Sequence, residues 1–170
     1  MSSNLRIAIA QINTTLGDFP FNRKKIFEQI QKAYEQKCDL ILFPEATLFG
    51  YHPFDLLERQ QLVETQLKEL REIEKKIPSG IAAMVGVITK NPSSRGRPYF
   101  NSAALIQEGK KSQIFHKQLL PTGDVFDEAR FIEAGQTSKN IFSFKGKKIL
   151  MTICEDIWAW PMKDGSSQYS

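Results

Sequence analysis

Three residues with reactive side chains, Glu45, Lys117 and Cys154, each lie at or just beyond the end of an apolar run. Short apolar runs that are closed by proline or polar residues are typical of buried β-strands. The carboxyl ends of strands line the ligand crevice of an α/β sheet, so the three side chains are predicted to converge there. Glu155 and Asp156 follow the cysteine directly, and burying unpaired carboxylates costs several kcal/mol. We therefore expect them to mark a polar pocket or a network of partners.

A thiol, a carboxylate and an ammonium group at one place suit nucleophilic attack on an amide. A carboxylate whose pKa is raised by burial can take the proton of the thiol. A neighbouring lysine favours the thiolate and then stabilises the oxyanion of a tetrahedral intermediate, and one such donor is worth about 3 kcal/mol. The predicted reaction is therefore acyl transfer from an amide.

Each of these residues also has an interpretation that involves no chemistry. Glu45 could be a carboxylate at a helix entry, Lys117 a solvated loop residue and Cys154 a small buried hydrophobic side chain. A papain-like pair of His116 and Cys154 is an alternative, but strand alternation directs His116 away from the side that Lys117 faces. A metal site built from Cys154, Glu155 and His116 lacks a recognisable ligand spacing.

The elements that must position these residues follow from the apolar pattern. Asn22 is the predicted cap of the first helix, Cys154 directly follows the last predicted strand, and no strand or helix pattern appears after Trp160. The irregular segment 118–135 is longer than an ordinary connection, which is more typical of functional loops. Helices are predicted at 22–37 and 54–76, and strands at 5–12, 39–44, 81–89, 101–107, 112–115, 141–144 and 148–153.

Length and composition predict one globular α/β domain over residues 1–170. The chain is 41% hydrophobic and 25% charged, which is enough to build a core. Its net charge of +4 is spread over interleaved acidic and basic residues and does not indicate nucleic acid binding. Cys38 and Cys154 form no disulfide framework, and we see neither a signal peptide nor a membrane-spanning run. These features predict a cytoplasmic protein without a membrane partner.

Three short motifs resemble the signatures of the nitrilase, or carbon-nitrogen hydrolase, superfamily. They are Phe43–Glu45, His116–Pro121 and Ile153–Asp156, and they occur in the order found in that family. The resemblance implies an α-β-β-α sandwich in which Glu45 is the general base, Lys117 stabilises the oxyanion and Cys154 is the nucleophile.

Residues 117–131 and 154–158 are similar, within that superfamily, to the glutaminase domains of glutamine-dependent NAD synthetases. This resemblance implies that glutamine is cleaved through a glutamyl thioester to glutamate and ammonia, with no metal and no cofactor for that step. It implies further that Glu128 positions the lysine and the substrate. Phe126 and Trp158 match positions that line the substrate pocket.

Two departures from that pattern are visible. Gly123 stands where these domains usually carry tyrosine, and the family's domain continues beyond the cysteine hairpin. We therefore expect the N-terminal part of a glutaminase domain, truncated after the cysteine strand, in a homo-oligomer. The synthetase domain that would bind ATP and deamido-NAD is absent from this sequence and is the expected partner. Another amide, a carbamoyl compound or a nitrile remains an alternative substrate, and a catalytically inactive binding fragment is an alternative function.

Overall fold

A computed structural model describes residues 4–123, 125–136 and 139–159, so the predicted lack of structure after Trp160 lies outside the described residues. Five strands form a central sheet in sequence order. The first three strands are parallel, and the fourth and fifth are each antiparallel to the strand before. These strands are β1 (Ile7–Ile9), β2 (Leu40–Leu42), β3 (Ala82–Lys90), β4 (Tyr99–Gln107) and β5 (Gln113–His116).

Two amphipathic helices, α1 (Phe19–Glu35) and α2 (Gln60–Lys76), cover one face of this sheet. Their buried side chains form one core with the apolar residues of β2, β3 and β4. None of the helices in the described residues combines the length and the apolar composition that crossing a bilayer requires.

The first turns of both helices differ from the prediction. Helix α1 begins at Phe19 rather than near Asn22, because the carboxylate of Asp18 caps it. Asn22 is buried inside the helix instead. The predicted helix over 54–76 is divided into a 3₁₀ segment, Phe54–Glu58, and α2, which begins at Gln60. A side-chain cap explains the start of α1, whereas no side-chain cap precedes α2 or the 3₁₀ segment.

A second, two-stranded antiparallel sheet lies on the opposite face of the central sheet. It consists of β6 (Ile141–Phe144) and β7 (Lys147–Leu150), and its apolar side chains form a second core with β3, β4 and β5. The α/β fold is confirmed, and the described residues form a helix layer and two sheet layers. A second helix layer is not among them.

Strand β7 ends at Leu150, whereas the sequence predicted a strand that reaches Ile153. The backbone N–H of Ile153 donates to the carboxylate of Asp156 rather than to a neighbouring strand. Three residues therefore separate the end of the strand from Cys154. The first predicted strand is also shorter, with only Ile7–Ile9 in the ladder.

Strand β1 forms one edge of the central sheet and leaves apolar side chains in solvent. Ile7 is 47% exposed and Ile9 is 77% exposed. Both share a strand face with Leu5, which packs against the core beneath the β6–β7 hairpin. The hairpin therefore covers β3, β4 and β5 but not this edge.

Candidate active site

Glu45 lies in the turn that follows β2, directly on top of a glycine of β3. A Cβ atom at Gly86 would come within 2.4 Å of the carbonyl oxygen of Pro44 and of the backbone nitrogen of Ala46. Only glycine leaves room for this close approach. Gly86 therefore determines how deeply the Glu45 turn lies against the sheet.

The strand directions explain why Glu45 and Lys117 meet. β5 is antiparallel to β4, which is antiparallel to β3, so β5 runs in the same direction as β2. Glu45 after β2 and Lys117 after β5 therefore emerge at one edge of the sheet. The amino end of β4 lies at that edge too, and it brings Asn101 between them.

The backbone of Lys117 is fixed by neighbours on two sides. Its N–H donates to the carbonyl oxygen of Asn101 at 2.8 Å, and its carbonyl oxygen accepts from the N–H of Gly135 at 2.7 Å. A Cβ atom at Gly135 would lie 2.7 Å from the Cβ atom of His116, so a glycine permits this approach as well. The lysine side chain consequently starts from a well-defined backbone.

The ammonium group of Lys117 is buried between two carboxylates. Its Nζ atom lies 2.8 Å from Oε1 of Glu45 and 2.9 Å from Oε1 of Glu128, and the lysine side chain is 0% exposed. Burial alone would lower the pKa of Lys117, but the two carboxylates outweigh it and raise that pKa. The site therefore holds a permanent positive charge.

Glu128 stays ionised for a matching reason. Burial alone would raise its pKa, but the neighbouring His52 and the hydrogen bond to Lys117 outweigh burial and lower the pKa. The Nε2 atom of His52 lies 3.7 Å from Oε1 of Glu128, and its Nδ1 atom accepts from the N–H of Phe54 at 3.3 Å. Because Nδ1 accepts this hydrogen bond, the N–H of a neutral His52 ring must be at Nε2, which faces Glu128.

One oxygen of Glu45 is occupied by two donors. The Nδ2 atom of Asn101 donates to Oε1 at 2.6 Å, and Lys117 donates to the same atom. The second oxygen keeps its acceptor capacity. Glu45 is thus oriented as a proton acceptor would have to be.

Cys154 begins a 3₁₀ segment, Cys154–Ala159, with its backbone in the left-handed region at a φ of 47°. The residue is exposed. Partial loss of solvent raises the pKa of its thiol, the charge of Glu45 and a hydrogen bond to that carboxylate raise it further, and Lys117 opposes them. The thiol therefore lies within the electrostatic influence of a carboxylate that could take its proton.

The predicted site residues differ in how closely the structure associates them. Phe126 is half-buried, with its ring centroid 6.4 Å from that of His52. Trp158 belongs to the 3₁₀ segment and is 60% exposed. Four of the predicted residues form one interacting group: Glu45, Lys117, Glu128 and Cys154.

His116 interacts with a different set of residues. Its Nδ1 atom lies 2.8 Å from Oγ of Ser102, and its ring stacks on Phe100 at a centroid distance of 4.1 Å. Burial and the charge of Lys139 lower the pKa of the imidazole. In the ranges 4–123, 125–136 and 139–159 no group of three or more His, Cys, Asp or Glu side chains could hold a metal ion.

Sequence reasoning missed three residues that belong to this site. Asn101 orients Glu45, and His52 contacts Glu128. Burial raises the pKa of Tyr51, and the charges of Glu45 and Glu128 raise it further, so the phenol is within electrostatic range of the site. The sequence does contain a signal for each of them. Asn101 is a polar residue near the start of an apolar strand, and Tyr51 and His52 carry polar rings in a loop shortly after Glu45.

One enzyme family matches nearly the whole of this chain. A sequence profile described as carbon-nitrogen hydrolase matches residues 6–159, and the chain belongs to that family. The resemblance to the nitrilase superfamily is thereby confirmed.

Within the family, the chain is similar to glutamine-dependent NAD⁺ synthetases. It is 42% identical to the Synechocystis protein over 155 residues, which cover 89% of this chain and 28% of that one. It is 34% identical to the Thermotoga maritima protein, with 91% and 26% covered. The chain thus spans little more than a quarter of these curated relatives.

Solved structures agree with this relationship. The glutamine-dependent NAD⁺ synthetase of Acinetobacter baumannii, solved with ADP, matches with a TM-score of 0.77 and 32% identity, covering 91% of this chain and 28% of that chain. An amidase from Nesterenkonia matches with a TM-score of 0.73 and 25% identity, covering 92% of this chain and 57% of that chain.

Proposed function

We propose that this chain hydrolyses the side-chain amide of glutamine to glutamate and ammonia through a thioester on Cys154. The observation that carries the proposal is the buried ammonium of Lys117 between Glu45 and Glu128. The charges of Glu45 and Lys117 both act on the Cys154 thiol. The choice of glutamine rests on the similarity to the glutamine-dependent synthetases.

The acylation half of the reaction begins with a proton transfer. Glu45 takes the proton of the Cys154 thiol as the sulfur attacks the carbonyl carbon of the amide. The carbonyl oxygen becomes an oxyanion, which the ammonium of Lys117 stabilises. When the tetrahedral intermediate collapses, Glu45 returns the proton to the leaving nitrogen. The C–N bond breaks, ammonia leaves and a glutamyl thioester remains.

The second half of the reaction repeats this sequence with water. Glu45 takes a proton from a water molecule, whose oxygen attacks the thioester carbon next to Lys117. Collapse of the second tetrahedral intermediate breaks the C–S bond and releases glutamate. The proton on Glu45 returns to the sulfur of Cys154, so the enzyme ends as it began.

The remaining site residues are assigned to binding and positioning. Glu128 holds the lysine and helps to orient the substrate, while Phe126 and Trp158 line the substrate pocket. Neither half of the reaction uses a metal or a cofactor. The residues that carry protons are all supplied by the chain itself.

The proposal extends to the wider setting of the chain, and the similarity to full-length synthetases supports it. We assign residues 1–170 to the N-terminal part of a glutaminase domain that serves a synthetase domain in a cytoplasmic homo-oligomer. The ammonia would be used where ATP and deamido-NAD bind, in that synthetase domain.

A second candidate is hydrolysis of another amide or of a nitrile. It is favoured by Gly123, because a glycine has no side chain that could contact glutamine. Nothing lies within 4 Å of a Cβ atom placed at this position. The similarity to the Nesterenkonia amidase points the same way.

Ammonia release from glutamine, aliphatic amides and nitriles tests both candidates. We expect glutamine to have the highest kcat/KM and the Cys154→Ala variant to release no ammonia above background. A preference for aliphatic amides would favour the second candidate. A chain that releases no ammonia and does not react with a glutamine-like diazoketone would be a binding fragment, and the proposal would be wrong.

A further inference from the structure

We propose that Asp156 is a positioning residue that holds Cys154 in register with Lys117. The inference deepens the proposed function and depends on it for the rate measurements below. Asp156 is 7% exposed, although it lies only two positions after an exposed cysteine. Its carboxylate connects the two segments that carry the nucleophile and the ammonium group.

One oxygen of Asp156 holds the lysine segment. Oδ1 accepts hydrogen bonds from the backbone N–H of Gln118 at 2.9 Å and of Leu119 at 2.8 Å. These are the two residues that follow Lys117, and 37 or 38 positions separate them from Asp156. The carboxylate therefore fixes the exit of the chain from the lysine position.

The other oxygen holds the cysteine turn. Oδ2 accepts from the N–H of Ile153 at 3.0 Å, while the N–H of Asp156 donates back to the carbonyl oxygen of Ile153 at 3.1 Å. This reciprocal pair closes a loop around Cys154, whose backbone is in the left-handed region. Non-glycine residues adopt that conformation only where neighbours impose it.

The chemistry of the group suits this task. An ionised carboxylate has only acceptors, whereas the three backbone groups that face it are all donors. Hydrogen bonds to a charged group are stronger than bonds between neutral groups. Asp156 thus links the nucleophile and the oxyanion stabiliser, which come from two different sheets, without touching the reacting atoms.

The test compares Asp156→Asn and Asp156→Ala with Asp39→Asn. Asparagine keeps the shape of the side chain but presents an N–H₂ group to one of the three donors. Asp39 is a matched control, because its carboxylate also accepts a backbone N–H from a distant segment, at Arg6, and lies outside the site. The measurements are kcat and KM for ammonia release, the melting temperature, and the pH midpoint of Cys154 alkylation by iodoacetamide, followed by peptide mass analysis.

Loss of register should lower kcat by about 100-fold, because a displacement of about 1 Å at a reacting group has an effect of that size. KM should change far less. The alkylation midpoint should fall towards 9.0, the ordinary thiol value, as Cys154 leaves Glu45. Asp39→Asn should lower the melting temperature alone.

Two results would overturn the inference. One is an alkylation midpoint in Asp156→Asn that equals the wild-type value. The other is a kcat loss no larger than that of Asp39→Asn at a comparable melting temperature. If Asp156→Ala does not fold, Asp156→Asn decides. If wild type releases no ammonia, the proposed function fails, and the alkylation midpoint still tests the role of Asp156.

Discussion

The ammonium nitrogen of Lys117 lies 2.8 Å from Oε1 of Glu45, although 72 positions separate the two residues in the chain. This contact couples the proposed base to the proposed oxyanion stabiliser. In the proposed mechanism, Glu45 takes a proton from Cys154, so the negative charge of Glu45 passes first to the sulfur and then to the oxyanion. The same ammonium group would balance the charge at each step.

Replacing Lys117 by methionine should abolish turnover and destabilise the fold. The substitution removes the buried cation and leaves two carboxylates, Glu45 and Glu128, facing each other without a counter-charge. Breaking a buried ion pair on one side costs about 3–5 kcal/mol. Urea unfolding of the variant measures this loss.

The double variant Lys117→Met/Glu128→Gln provides the control for that experiment. It removes one of the two unpaired charges, so part of the lost unfolding free energy should return while turnover stays absent. A Lys117→Met protein as stable as wild type would contradict the charge balance inferred for the site.

Replacing Glu45 by glutamine should lower two measured quantities, the turnover number and the pH midpoint of Cys154 alkylation. Turnover should fall by about 10³-fold, because the general base is lost. The pH midpoint of Cys154 alkylation should fall, because the charge of Glu45 and its hydrogen bond both raise the pKa of the thiol. Glu72→Gln, at a partly exposed helix position outside the site, should change neither value. An alkylation midpoint that rises in Glu45→Gln would show that Glu45 does not contact the thiol.

The edge of the sheet where Glu45 and Lys117 meet was predictable from strand order. Apolar runs located β2 and β5, and the rule that strand ends line the crevice brought the two residues together. The cysteine turn was not predictable in the same way. Its geometry depends on the side chain of Asp156, and a hydrophobic pattern contains no information about such a bond.

Residues that join the site from loops and strand beginnings were harder to find. Asn101 occupies a strand position that an apolar residue would also fit, and its role appears only when β4 lies beside Glu45. Tyr51 and His52 lie in an irregular loop whose path depends on contacts distant in sequence. Local periodicity gives no signal for either case, whereas the strand-end rule needed only the order of the elements.

The stability of the protein should fall in acid through Glu128. Its pKa is lowered in the folded state from the ordinary 4.5, so the unfolded chain binds more protons than the folded one near that pH. The contribution of Glu128 is complete above 4.5 and is lost as pH falls through its folded pKa. Unfolding free energies measured between roughly pH 3 and pH 6 should therefore decline less steeply with falling pH in Glu128→Gln than in wild type. Equal slopes would contradict the pairing of Glu128 with Lys117, and Glu108→Gln controls for an exposed carboxylate.

Replacing Gly123 by tyrosine should lower KM for glutamine. Nothing lies within 4 Å of a Cβ atom at this position, and Gly123 has no left-handed φ, so the backbone accepts a side chain. A phenol there would restore the substrate contact implied by the resemblance to the glutaminase domains, and one hydrogen bond is worth about 1 kcal/mol, or roughly fivefold in KM. Gly123→Phe shows whether a change in KM comes from the hydroxyl group or from the ring. Gly123→Ala shows whether it comes from the ring or only from the added Cβ atom. If tyrosine and phenylalanine give the same KM as wild type, position 123 does not face the substrate, and the preference for glutamine must come from other residues.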